Sequence, residues 1–252
     1  MIDSVWEVVF VLLAGVWAGA INTIVGSGTL ITFPVLLAVG VPPVTANVSN
    51  SIGLVPGSMT GAWGYRRELR GQRHRVRWLL PAIVLGSTTG AMLLLWLPAK
   101  AFDSIVPVLI ALGVLLVILG PGIQRRLAAR PGHVAGDQGW VWPAMLATGV
   151  YGGYFGAAQG VLQMAILGIG VDDDVQRHNA LKNVLSAAVN AVAGAVFVAV
   201  AHVDWRVVLL IGGGAIVGGL IGARIGRWLP APVLRAVIAT VGVVAIISLL
   251  ID

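Results

Sequence analysis

A chain of 252 residues with 58% hydrophobic side chains, only 10% charged ones and a mean hydropathy of +0.95 has too few polar groups to coat a water-soluble globule, so it belongs in a bilayer. Its formal charge of +6 sits mainly in short loops, a positive-inside pattern that argues against a nucleic-acid partner. With no cysteine and four histidines (His74, His133, His178, His202) at no ligand spacing, disulfides, thiol catalysis, a metal or another cofactor are not expected.

Alternation of period two is absent, so the spans read as helices rather than barrel strands. The first apolar run, Val5 to Gly40, would be about 54 Å long as one helix, far more than the roughly 30 Å of a hydrocarbon core. Gly26-Ser27-Gly28 is the predicted break, dividing it into helices at 5-25 and 28-40. Because Asp3 and Glu7 stand where a signal sequence would be basic, the first helix is expected to be retained. Further helices are predicted at 47-65, 78-97 and 104-120, followed by a Pro/Gly-bearing cytoplasmic linker at 121-139. The second half reads as helices at 140-158, 160-170, 178-201, 207-228 and 232-251, with its break near Gln159-Gly160.

The halves repeat one another. Gly15, Gly19 and Gly26 match Gly149, Gly153 and Gly160 at one offset. After a two-residue slip, Asn47 matches Asn179, Gly86-x-x-x-Gly90 matches Gly218-x-x-x-Gly222, and Leu97-Pro98 matches Leu229-Pro230. If each broken segment folds back, 13 of the 16 Arg and Lys residues share one side, Lys100 and Arg206 lie opposite, and Lys182 is left inside a helix. A single crossing divides them only ten to five. The fold expected is therefore an all-α polytopic membrane protein of two inverted repeats, residues 1-120 and 140-252. Each has about five segments, giving eight full helices plus re-entrant half-helices, with arginine-rich loops cytoplasmic and both termini outside.

Three groups of residues can carry chemistry. Lys182 places an ammonium about one turn inside an apolar helix, at a cost on the order of 2.5–3.5 kcal/mol. It either meets an anionic substrate, or snorkels to the headgroups, or pairs with one of Asp172, Asp173 and Asp174. The breaks carry Asn22, Gly26, Ser27, Gly28 and Thr29 in one half and Gln159, Gly160 and Gln163 in the other. A restarting helix there offers unpaired N–H groups and the positive end of its dipole to an anion. The helix starts Asn47-Val48-Ser49-Asn50 and Asn179 to Asn183 form the third group, with Asn50 in the position equivalent to Lys182; for Asn47 and Asn179, simple capping is the alternative. The tryptophans Trp78, Trp96, Trp140, Trp142, Trp205 and Trp228 read as interfacial anchors, and the two Gly-x-x-x-Gly pairs as close helix contacts. No phosphate-binding loop for ATP is present.

The stretches AGAINTIVGSGTLITFPVLLAVGVPPVTANVSNSIGLVPGS, YRRELRGQRHR, NALKNVLSAAVNAVAGAVF and GGLIGARIGRWLP resemble the sulfite exporter TauE/SafE family, also called the 4-toluenesulfonate uptake permease family. The resemblance implies a secondary transporter of sulfite, an organosulfonate or a related small anion in a bacterial inner membrane, not an enzyme. The expectation is an alternating-access carrier, an exporter by resemblance, whose rivals are an anion channel and an assembly subunit without its own substrate. Its partners would be the small anion, the lipid bilayer, a coupling proton or ion, and a second copy in a homodimer.

Overall fold

The computed structural model describes residues 4–128, 137–226 and 240. Among them every regular element is a helix: α1 (Val5–Ile24), α2 (Thr29–Ala38), α3 (Pro43–Gly64), α4 (Arg73–Trp96), α5 (Ala99–Ala128), α6 (Val141–Tyr154), α7 (Gln159–Gly170), α8 (Val175–Val200) and α9 (Trp205–Ile225). Four of these, α1, α4, α8 and α9, are long and apolar enough to cross a membrane. Helix α3 matches them in length but carries Asn47, Ser49, Asn50, Ser51 and Ser58 on buried positions, which marks it as an interior helix. The predicted helix at 232-251 and the Leu229-Pro230 match lie outside the described residues. Helix α4 starts five residues earlier than predicted, because its first turn accepts arginines that reach water. Helix α5 continues through Pro121 and Gly122 to Ala128, into the stretch read as linker.

Polar caps mark where the chain leaves water. Ser4 and Glu7 form a capping box on α1. The Asp174 carboxylate accepts from the amides of Gln176 and Arg177 at 2.8 and 2.9 Å, and Asp204 does the same for α9. The acidic run before α8 is thus a helix start, as its position before Arg177 suggests.

Helices pack at backbone distance in α1 on α9 and in α4 on α6, and α3 also meets α9 so closely at Gly57 and Gly219. Along α1, Gly15 and Gly19 lie against Ile211 and Ala215 of α9, while Gly214 and Gly218 of α9 face Leu12 and Val16. Along α4, Gly86 and Gly90 lie against Leu146 and Val150 of α6, and Gly149 and Gly153 face Ile83 and Ser87. A Cβ on Gly15 would come within 2.8 Å of the Ile211 carbonyl oxygen, so both crossings need small residues. Rising numbers meet rising numbers, and each pair therefore runs parallel.

These contacts settle the path of the broken segments. The α2–α3 turn at Gly40, Val41 and Pro42 lines a cavity with His202 to Arg206, the residues that begin α9. Since α9 runs beside α1, α2 has returned to the end where α1 started. Likewise the Gln138 amide, just before α6, donates to the carbonyl of Gly170 at 2.8 Å, so α7 has returned to the start of α6. Both segments fold back. Arg70, Arg75 and Arg177 gather with Asp137 and Asp173 at one end, while Arg206 lies at the other.

Large apolar side chains face outward along the spans: Trp6, Phe10 and Trp17 on α1, Val108 and Ile118 on α5, Leu209 on α9. That is the surface lipid requires. Trp96, Trp140 and Trp205 are exposed at helix ends, as anchors should be. Trp78 and Trp142 instead pack on the core cluster of Leu79, Met145 and Leu181, because the α4–α6 contact turns that face inward. Trp228 lies outside the described residues.

Candidate functional site

The first break begins where α1 ends. The amides of Val25 and Gly26 both donate to the Ile21 carbonyl, at 2.7 and 3.1 Å, and Gly26, at φ 83°, turns the chain back in the left-handed region that glycine tolerates. This leaves the Asn22 and Thr23 carbonyls without helical partners. Lys182 of α8 fills the gap: its Nζ donates to Asn22 O at 2.9 Å and Thr23 O at 3.1 Å, and Asn183 Nδ2 donates to Thr23 O at 3.2 Å. A cation at the negative end of the α1 dipole is favourable. Lys182 is fully buried. It neither snorkels nor pairs with an aspartate, since Asp173 binds Arg75 and Arg177 and Asp174 caps α8.

The second break repeats the device. The amides of Phe155 and Gly156 both donate to Tyr151 O, at 2.9 and 3.1 Å. Gly156 and then Ala158 take positive φ, and the freed Tyr154 carbonyl accepts from Asn47 Nδ2 of α3 at 2.9 Å. Each broken helix is therefore closed by a side chain from the other half of the chain.

The two breaks touch. Gly160 N donates to Gly26 O at 3.1 Å, and a Cβ on either glycine would overlap the other's backbone. A Cβ on Gly160 would also come within 3.0 Å of Lys182 Cδ. Only glycine permits this junction of α2, α7 and α8. Around it, Asn50 accepts from Thr32 Oγ1 and donates to Thr29 Oγ1 at 3.2 Å, fixing the start of α2. Ser186 Oγ donates to Gln163 Oε1 at 3.0 Å, fixing α7. Asn22 donates to Ser58 Oγ at 3.0 Å, and Asn190 to the same oxygen at 3.5 Å.

What remains unused defines the chemistry. Thr23 Oγ1, Ser27 Oγ, Gln159 Oε1, Gln163 Nε2 and Asn183 Oδ1 are buried without a hydrogen-bond partner among the described residues. The backbone N–H groups of Ser27, Gly28 and Thr29, at the start of α2, likewise bond to no described residue. Buried polar groups normally find partners. Donors at a helix start beside a buried ammonium are what a small anion needs.

The structure thus brings together Asn22, Gly26, Ser27, Gly28, Thr29, Gln159, Gly160, Gln163, Lys182 and Asn183, with Asn50 holding one edge. Asn47 serves the end of α6. Ser49 lies elsewhere, accepting from the Asp204 amide at 2.9 Å, and Asn179, though buried with a free Oδ1, has no hydrogen bond to the junction. Sequence reasoning missed Thr23, Thr32, Ser58 and Ser186 and gave Asn190 no role. The signal was present in the spacing of Lys182, Ser186 and Asn190, which puts them on one face of α8.

At the arginine-rich end, Arg75 Nε meets Asp137 Oδ2 at 2.9 Å and Arg177 Nε meets Asp173 Oδ1 at 2.6 Å, while Arg75 also pairs with Asp173. Burial pushes the Asp173 carboxyl up, but the hydrogen bonds from Arg177, the Asp174 amide and Arg75 outweigh it and hold the group below its ordinary value.

A family model described as Sulfite exporter TauE/SafE matches residues 11–249. Among curated proteins, a probable membrane transporter protein, ORF9, of Sinorhizobium sp is 28% identical over 251 residues, covering 96% of this chain and 92% of its own. The probable membrane transporter protein YfcA of Escherichia coli (strain K12) is 26% identical over 83% of this chain and 75% of its own. A probable membrane transporter protein of Haemophilus influenzae is 24% identical over 83% and 81%. No solved structure matches.

Proposed function

The chain belongs to the sulfite exporter TauE/SafE family and is a multi-pass membrane transporter, and from that premise we propose that it carries a small sulfur-containing anion, sulfite or an organosulfonate, outward by alternating access. The observation that carries this reading is the junction of two broken helices, where the ends of α1, α2 and α7 meet Lys182 of α8 and the α2-start amides and the Ser27, Thr23 and Gln163 donors are left without partners among the described residues. The halves act as inverted repeats, 1-120 and 140-252. Support comes from α1 and α6, which start at opposite ends and each return through a short helix, and from the crossed pairs α1 on α9 and α6 on α4. Rocking one repeat on the other opens the junction to each face in turn. The arginine-rich end faces the cytoplasm under the positive-inside rule.

The test is thermal stability of the purified protein against sulfite, thiosulfate, sulfate, sulfoacetate, toluenesulfonate, taurine, carboxylates and chloride, with Lys182→Ala alongside. A cognate anion at about 100 times its Kd stabilises by roughly 2.7 kcal/mol, and the shift is expected for a sulfur oxyanion and lost in the variant. An equal shift in Lys182→Ala would remove the lysine from the site. No shift with any anion would favour a channel or an assembly subunit.

A further inference from the structure

Coupling of transport to a proton has no carboxylate to run on deep within the described spans, since Glu7 stands near the start of α1 and Asp103, with Lys100, near the start of α5. A proton carrier must be a titratable side chain buried where the carried anion passes. Among the described residues at the junction, that describes Lys182 alone. The residues packed around it confirm the isolation: α2, α3 and α7 contain no Asp, Glu, Lys, Arg or His, and α1 has only Glu7, in its first turn. The charges of α9, Arg206 and Arg224, stand at its two ends, and those of α4, Arg73 to Arg77, stand in its first turn or so. On α8 itself, Arg177 pairs with Asp173, and His178 bonds the Val171 carbonyl at 3.1 Å. Tyr151 of α6 donates its hydroxyl to Ala157 O at 2.6 Å, and Tyr154 sits in the aromatic contact with Phe102.

We propose that Lys182 carries the coupling proton, taking it up as the anion enters the junction and releasing it as the anion leaves. This rests on the anion site proposed above. The geometry fits both protonation states. Nζ makes two hydrogen bonds, to Asn22 O and Thr23 O, and a neutral amine has two N–H donors to make them. The third position on nitrogen has no partner among the described residues. It holds a proton in one state and a lone pair in the other, so the cap on α1 survives either way.

The energetics set the order. An anion beside Nζ favours the charged amine, and no carboxylate among the described residues pairs with it in the anion's absence. Anion binding and protonation therefore strengthen each other by the same factor. A proton from water adds to the Nζ lone pair as the anion arrives, and the same proton returns to water on the far side. With a monovalent anion the loaded junction thus crosses with its added charges cancelled and the empty one uncharged; because the proton moves with the anion, export runs down the anion's own gradient, and an inward proton gradient drives the reverse direction.

The probes are methanesulfonate, toluenesulfonate and thiosulfate, which do not themselves titrate near neutral pH. Binding is measured between about pH 6 and 9 in weakly buffered detergent, with a pH dye reporting proton movement. Wild-type protein is expected to take up one proton per bound anion at the upper end of that range, its affinity falling there by about tenfold per pH unit. Lys182→Arg, which stays charged, should show a pH-independent affinity and no uptake. Proton uptake surviving in Lys182→Arg would overturn the assignment. So would a wild-type affinity that does not change with pH, a result that needs no variant to fold and leaves the anion carrier standing. Failure of all three anions to bind at any pH would remove both proposals together.

Discussion

Gly26 is the residue on which the junction turns, because it meets two demands at once. Its φ of 83° costs a residue with a side chain about 1–2 kcal/mol, and a Cβ there would overlap the Gly160 backbone. Gly40 supplies a control within the same chain: its φ is 80°, yet a Cβ would meet nothing within 4 Å. Gly40→Ala is therefore expected to cost only the backbone term, while Gly26→Ala costs more and also weakens anion binding by parting the two breaks. Equal melting shifts for the two variants in detergent would show that the Gly26–Gly160 contact carries no energy. That Gly26 marks a break was legible, since glycine pairs weaken helix. That it meets Gly160 was not, because the two lie 134 positions apart and no local preference links them.

Among the elements, α8 does most to join the molecule, and its start depends on acids. Asp174 caps it, and Asp173 binds Arg177 on its first turn and Arg75 on α4. Since the folded protein holds the Asp173 carboxyl below its ordinary value, this pairing contributes fully above that value and is lost as pH falls through the depressed one, below about pH 4. Asp173→Asn should lower the melting temperature at neutral pH and flatten its acid dependence, so that the gap between variant and wild type narrows on acidification. A gap that stays constant from neutral pH to below pH 4 would mean the carboxylate is not what ties α4 to α8. The acidic cluster was readable as a helix start from its place before Arg177. Its reach to Arg75, nearly a hundred residues away, depended on α4 lying beside α8. The polar stripe of α8 had a similar fate: Lys182 stood out by charge, whereas Ser186 and Asn190 needed the facing Gln163 and Ser58 to acquire a role.

At the scale of the whole molecule, the fold-back of both broken segments places Arg70 and His202 at opposite ends. The chain has no cysteine, so single cysteines report position cleanly. Arg70→Cys is expected to react with a membrane-impermeant thiol reagent only after the cytoplasmic face is opened, and His202→Cys from the outside. The reverse pattern would invert the proposed orientation, and reaction of both from one face would refute the fold-back. Composition alone determined that this is a membrane protein, because 10% charged residues cannot cover a soluble surface, and the absence of period-two alternation determined that its spans are helices. Glycine placement determined where helices break and where they pack closely, since both are local steric facts. The tertiary structure decided what closes each break. The orphaned carbonyls at the ends of α1 and α6 are identical in kind, and only the assembled fold assigns Lys182 to one and Asn47 to the other. A backbone carbonyl accepts any donor within reach, and reach is a property of the whole fold.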